Sequence, residues 1–245
     1  MKILYAGDSP VGGAANYLLG ILKSIRADVL HLPPSETLRP KTLNKKFDAI
    51  ILSDFPKSRT PLESEKAIRR QVEGGAGLIM IGGWASFAAI YGKWKGSEIE
   101  KLLPVDCLGR DDRTNLPGGG LVVLKNKHPM FRSLSFKNPP VLCGLNQITP
   151  KKKSLTVLTA GEIRSSGSRL ALGTEYPLLV VDRAKRTAAL ATDLAPHWCG
   201  GLVDWGKKRV KLPVAKGIQI EVGNLYVEFV ASLVLWLAGK GKEAR

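Results

Sequence analysis

A chain of 245 residues with 44% hydrophobic and 24% charged residues has the apolar content for one large α/β domain and too much of it for a disordered chain. Its 37 Lys and Arg against 21 Asp and Glu give a formal charge of +16, a field that attracts nucleic acid or anionic ligands without selecting among them. The three cysteines, Cys107, Cys143 and Cys199, are odd in number and form no CxxC pair. That spacing indicates neither a disulfide framework nor a zinc site, and reduced thiols, structural or incidental, are expected.

Residues 2–6 are a short apolar run entering Gly-Asp-Ser-Pro, the pattern of a strand that leads into a loop. Over 14–25 the apolar residues Tyr17, Leu18, Ile21, Leu22 and Ile25 recur at helical spacing. A second strand is predicted over 28–32, stopped by Pro33-Pro34, and a third over 47–52, ending in Ser53-Asp54. Residues 61–73 read as a helix with Leu62, Ala67, Ile68 and Val72 on its apolar side and Pro61 in the first turn. Gly74-Gly75 stops it. The apolar run 77–81 is a fourth strand, central and buried on both faces, running into Gly82-Gly83-Trp84.

Further strands are predicted over 121–124, 155–159, 178–181 and 188–191, with 177–182 and 186–192 forming a hairpin. Gly118-Gly119-Gly120, Pro139-Pro140 and residues 164–169 read as loops. A helix over 222–238 closes a single domain spanning 1–239, and 240–245 is expected to be a disordered basic tail. This alternation predicts an α/β fold with a mostly parallel central sheet and helices on both faces. The loops at Asp8-Ser9, Ser53-Asp54 and Gly82-Gly83-Trp84 then gather on the edge where such sheets bind ligands. The first apolar run is too short for a signal-peptide core, and the run 225–238 contains Glu228 and Ser232 and is too short to cross a bilayer. A cytoplasmic protein without membrane contact is expected.

Three segments carry candidate chemistry. Gly82-Gly83-Trp84-Ala85-Ser86-Phe87 offers backbone N–H groups for an oxyanion or anion, or else is a tight strand-to-helix turn packed by its aromatics. In Asp193-Leu194-Ala195-Pro196-His197-Trp198 a histidine follows a strand end on a proline-shaped loop, placed for acid–base work with Asp193 to orient it, or for a structural role. The loop 7–13, with Asp8 and Ser9, opens a helix and either attracts anions or caps the helix. It matches neither the dinucleotide fingerprint nor the P-loop, and no Gly-x-Ser-x-Gly or Gly-x-Cys-x-Gly elbow occurs.

Taken together, Gly7-Asp8-Ser9 with Gly12-Gly13-Ala14-Ala15, the run 78–87 ending Ile81-Gly82-Gly83-Trp84-Ala85-Ser86-Phe87, Leu102-Leu103-Pro104-Val105, and Asp193 with Pro196-His197-Trp198 and Trp205 resemble one family. It is the glutamine amidotransferase-like cytoplasmic proteins, related to the trehalose-utilisation-type and class I amidotransferase-like folds. The resemblance implies a flavodoxin-like sheet of class I amidotransferase-like topology. In true amidotransferases a cysteine sits at the turn after the central strand, and a histidine with an acidic partner comes later. Here that turn holds no cysteine, and the position two beyond His197 is Cys199 rather than an acid. Hydrolysis of glutamine through a thioester is therefore not expected.

The expected site has His197, Asp193 and Ser86 as its chemical groups and Asp8, Ser9, Gly82, Gly83, Trp84 and Trp198 as its ligand contacts, with no cofactor and no metal. Its ligand would be small and polar, a sugar or an amide. The competing reading is a non-catalytic scaffold forming a homodimer, with the tryptophans simply filling core. The charge adds a third reading, weak and non-specific binding of polyanions.

Overall fold

The structure, a computed structural model, describes residues 1–9 and 12–241. Pro10 and Val11 of the glycine-rich loop, and residues 242–245 of the expected tail, lie outside the described residues. In chain order the elements are β1 (Lys2–Gly7), α1 (Ala15–Ser24), β2 (Asp28–Leu32), β3 (Ala49–Ser53), α2 (Leu62–Glu73) and β4 (Gly77–Ile81). Then come α3 (Glu98–Leu102), β5 (Val105–Cys107), β6 (Arg113–Leu124), β7 (Val141–Asn146), β8 (Ile148–Pro150), β9 (Ser154–Ser166), β10 (Arg169–Asp182) and β11 (Thr187–Leu190). The chain closes with α4 (Pro196–Val203), β12 (Arg209–Ala215), β13 (Ile218–Gly223) and α5 (Asn224–Leu237).

The fold is mixed α/β around a nine-stranded sheet of order β2-β1-β3-β4-β11-β10-β9-β6-β7. The expectation of a mostly parallel sheet is corrected: its eight pairings divide into four parallel and four antiparallel. The first five strands in that order run parallel because helical crossovers or long connections return the chain to the same edge. After β11 the pairs β11–β10, β10–β9 and β6–β7 join strands consecutive in the chain, which return antiparallel, and β9 lies antiparallel against β6. Every residue of β3 and β4 is buried, as expected of strands covered on both faces.

From β1 the chain moves to β2 on one side and later to β3 on the other. Right-handed crossovers therefore place α1 and α2 on opposite faces. α1 packs beside α5 and under the β12–β13 hairpin, whereas α2 packs beside α3. The order reverses between β1 and β3, which opens a crevice at their carboxyl ends. The antiparallel half rolls back over that edge, so that the Asn146 N–H at the end of β7 donates to the Ala191 carbonyl at 2.7 Å.

Other differences have local causes. Gly118, Gly119 and Gly120 lie inside β6 rather than in a loop, where a register shift between Asn115 and Gly120 bends the strand against β7. Residues 164–169, also read as a loop, form the outer end of the β9–β10 hairpin. Pro61 caps α2 from outside the helix. Residues 218–223 belong to a strand, so the last helix begins at Asn224. His197 sits in the first turn of α4, not on a loop, because Pro196 takes the initial helical position where its missing N–H costs nothing. Among the described residues no helix is long and apolar enough to cross a membrane.

Candidate active site

Four parallel strands deliver their carboxyl ends to one place: β1 to Asp8, β3 to Asp54, β4 to the 82–86 turn and β11 to Asp193. Asp8 and Asp54 both take left-handed backbone angles, φ 51° and 50°, which short polar side chains tolerate best after glycine. The two loops are locked together by the Asp8 N–H, which donates to the Ser53 carbonyl at 2.8 Å. A Cβ at Gly7 would fall on that carbonyl, so only glycine lets β1 and β3 meet this closely.

The 82–86 turn is then built on Asp54. Its carboxylate accepts the Ala85 N–H and is also bonded by the Trp84 N–H. A Cβ at Gly83 would stand 2.5 Å from Asp54 Oδ1. The Gly83 peptide is held on its other side by Asn146, which accepts the Gly83 N–H at 2.9 Å and donates to its carbonyl at 3.1 Å. Asn146 also donates to Asp112 Oδ1 at 2.7 Å, and Asp112 Oδ2 accepts the Ala88 N–H at 2.7 Å. The Gly82 N–H is divided between the carbonyls of Leu190 and Thr192. The N–H groups of residues 82–85 are therefore committed within the fold, and the turn presents no free oxyanion hole. No α-helix follows it directly; turns continue until α3.

Ser86 is 1% exposed. Its hydroxyl donates to the Ile81 carbonyl at 2.5 Å and accepts the Asp54 N–H at 3.1 Å, so it ties the turn to β4 and β3 rather than standing free as a nucleophile. Ser9 accepts the Ala14 N–H at 2.6 Å, satisfying a donor at the start of α1 as a cap would. Trp198 is buried against Gly144 of β7. Trp84 is 54% exposed, with the Arg113 guanidinium 4.2 Å from its ring centre.

What remains available for chemistry is a group of carboxyls and one imidazole. Burial pushes the Asp8 carboxyl up to about 7, against the hydrogen bond from the Tyr5 hydroxyl, with the charges of Asp54 and Asp193 adding to the rise. Burial likewise pushes Asp193 up to about 6, against a thiol hydrogen bond from Cys199 and the Trp198 N–H. Asp54 is raised by burial, against its backbone donors and the nearby His197. His197 is exposed and close enough for its charge to act on both Asp54 and Asp193. Asp8 and Asp193, which repel each other and Asp54, are thus carboxyls able to exchange protons near neutral pH.

The thiols lie outside this arrangement or are spent within the fold. Cys107 is buried on β5, and burial raises its thiol far above the usual range. Cys199 is buried, its thiol raised by burial and by Asp193, to whose carbonyl it donates at 2.6 Å. Cys143 is exposed on β7. Among the described residues no group of three or more His, Cys, Asp and Glu is arranged to hold a metal ion.

Sequence reasoning placed Asp8, Asp193 and His197 in the site and brought the Ser53-Asp54 loop to the same edge, but gave Asp54 no role and missed Tyr5, Asn146 and Asp112. The polar Ser53-Asp54 pair at a strand end was the available signal for Asp54; nothing in the local sequence marks Asn146. A groove of about 1200 Å³ bordered by Arg183 and Trp236, and a cleft of about 360 Å³ bordered by Phe47 and Gln71, both open at the opposite, amino edge of the sheet.

Residues 8–212 match the family model described as putative glutamine amidotransferase. Among solved structures, Cytoplasmic Protein STM1381 from Salmonella typhimurium LT2 is 28% identical, with a TM-score of 0.66 over 81% of this chain and 90% of that one. Cytoplasmic Protein STM3548 from Salmonella typhimurium is 25% identical, with the same TM-score and coverage. A putative ThuA-like protein from Bacteroides uniformis shares the fold at 14% identity, with a TM-score of 0.55 over 99% of this chain and 93% of that one. No curated protein matches the chain. With the family model covering most of its length, the chain belongs to the putative glutamine amidotransferase family.

Proposed function

We propose that the carboxyl edge of the sheet binds a small polar ligand, a sugar or an amide, without hydrolysing glutamine. The observation that carries this reading is the meeting of Asp8, Asp54 and Asp193 with exposed His197 where the strand order reverses. Carboxyls held near 6 and 7 donate and accept protons at neutral pH. One face of the exposed Trp84 ring carries the Arg113 guanidinium, and the other supplies a flat apolar surface suited to a sugar ring or a planar amide. The absence of a cysteine from the 82–86 turn, together with its committed N–H groups, argues against a thioester mechanism. The parallel strands in the order β2-β1-β3-β4-β11 support a flavodoxin-like half-sheet as the scaffold of this site. The cytoplasmic names of the two Salmonella structures support a cytoplasmic location.

A thermal-shift and saturation-transfer screen of sugars and amides tests the reading. The expected ligand stabilises the wild type but neither His197→Ala nor Trp84→Ala, both of which keep the fold. Ammonia release from glutamine that disappears in Cys107→Ser or Cys199→Ser would contradict the absence of glutaminase activity. A homodimer is a second reading, favoured by Leu170 and Leu172 on the β9–β10 hairpin, 77% and 53% exposed. A monomer mass by light scattering at 100 µM, roughly the upper range for a specific weak dimer, would remove it.

A further inference from the structure

The amino edge of the sheet has the opposite character to the aspartate edge. β9 begins and β10 ends there, with Ser154 opposite Asp182. This pairing sets the exposed Lys152 and Lys153 beside the turn that carries Arg183 and Lys185. Arg132 reaches the same groove from the turn after β6, and Lys240 from the end of α5. Basic pairs that lie far apart in the sequence are thus gathered around one groove. Asp182 is the only carboxylate among its described lining residues, and one of its oxygens is occupied by the N–H groups of Ala184 and Lys185. Among the described residues, neither Arg132 nor Lys185 makes an ion pair. Arg183 gives its Nε–H to the Ser154 carbonyl at 3.3 Å, whereas Arg186 is bonded through two of its nitrogens to the carbonyls of Leu237 and Gly75.

The groove also has an aromatic wall. Half-buried Trp236 lines it, with the His128 ring edge-on at 5.2 Å and 88°. Cations alone would suit any polyanion, but cations beside an indole suit a strand whose phosphates track the charges while a base stacks. The volume of about 1200 Å³ exceeds the usual small-ligand pocket, roughly 300–1000 Å³, and the groove is open enough for an extended chain. A duplex keeps its bases stacked on one another, and an acidic peptide offers no base to the indole.

We propose that this groove docks single-stranded nucleic acid, with phosphates on Arg132, Arg183, Lys185 and Lys240 and a base against Trp236. The surface is independent of the aspartate site, so either reading can fail without the other.

Fluorescence anisotropy of a labelled twelve-nucleotide oligouridylate, titrated with the full chain, tests it. Four phosphate contacts on a single strand give a salt slope of about −2.8, so affinity falls roughly 50-fold between 50 and 200 mM salt. The double variant Arg183→Ala/Lys185→Ala, confined to an exposed turn, is expected to reduce the slope by about 1.4 and to weaken binding at least tenfold at 50 mM salt. Lys207→Ala/Lys208→Ala, which removes two exposed cations elsewhere, should change binding less than twofold. Equal losses in the two double variants would reduce the effect to bulk charge and overturn the groove. Displacement by polyglutamate or duplex RNA as effective as by unlabelled oligouridylate would overturn the single-stranded occupant, and no binding at 50 mM salt would overturn the proposal outright.

Discussion

Replacing Asp8 by Asn should make the protein more stable at alkaline pH, because the fold holds this carboxyl in a form that an amide mimics. Its carboxyl moves from the ordinary 3.8 up to about 7 on folding, chiefly through burial. Below about pH 4 it is protonated in both states and stability is unaffected. Between 4 and 7 the unfolded chain ionises while the folded one keeps its proton, so stability falls as pH rises, and above 7 the loss is complete. At 1.36 kcal/mol per unit the full shift is worth about 4 kcal/mol. Asp8 keeps some solvent contact, so we take about 2 kcal/mol after screening.

The Asn variant retains an oxygen to accept the Tyr5 hydroxyl and has no ionisation to lose. Wild type and variant should therefore diverge from pH 4 to 8 by about 2 kcal/mol, or roughly 4–8 °C in Tm for a chain of this size. Urea titrations at each pH measure this difference directly. It cancels the opposite tendency of Glu63, Glu98, Asp111 and Glu175, whose carboxyls are held low by hydrogen bonds from Lys66, Lys101, Arg113 and Thr159. Parallel stability curves for the two proteins, or a wild type that gains on the variant as pH rises, would show that the Asp8 carboxyl is not raised by folding.

Asn146→Ala leaves the Gly83 peptide and Asp112 without their buried partner and should cost roughly 2–4 kcal/mol in denaturant unfolding. Gly83→Ala drives a Cβ onto the Asp54 carboxylate at a φ of 145°, and a loss of about 1–3 kcal/mol is expected by the same measurement. Under native conditions a thiol reagent should titrate one cysteine, Cys143, with Cys107 and Cys199 reacting only after unfolding; mass-mapped labelling of Cys199 in the folded state would contradict its placement.

The parallel half of the fold was legible because its signals are local. The runs at 2–6, 28–32 and 77–81 are apolar, short and closed by turn residues, and the structure places β1, β2 and β4 there. The antiparallel half was not, because hairpins that lie partly in solvent lack continuous apolar runs. Residues 164–169 and the glycines of β6 read as loop, the exposed start of β10 carries no strand pattern, and Arg209–Ala215 alternates charged with buried residues around Pro213. The site divides in the same way. Strand ends located Asp8 and Asp193, since topology alone brings them to one edge. The roles of Asp54 and Asn146 depend on partners such as Ala85 and Gly83, more than thirty residues away in sequence, and no local pattern carries that information. Pro196 marked a helix start that the expected loop concealed, and Cys199, at φ −117° inside α4, kinks the helix enough to blur its periodicity.

The most direct test of the account is a crystal structure of the chain soaked with the best sugar or amide from the screen, measured beside His197→Ala treated identically. Ligand density is expected between Trp84 and His197, with a polar atom of the ligand within hydrogen-bonding distance of Asp8, Asp54 or Asp193, and none at that place in the variant. Ligand seated instead in the groove beside Trp236, or bound between Trp84 and His197 equally well without the imidazole, would contradict it.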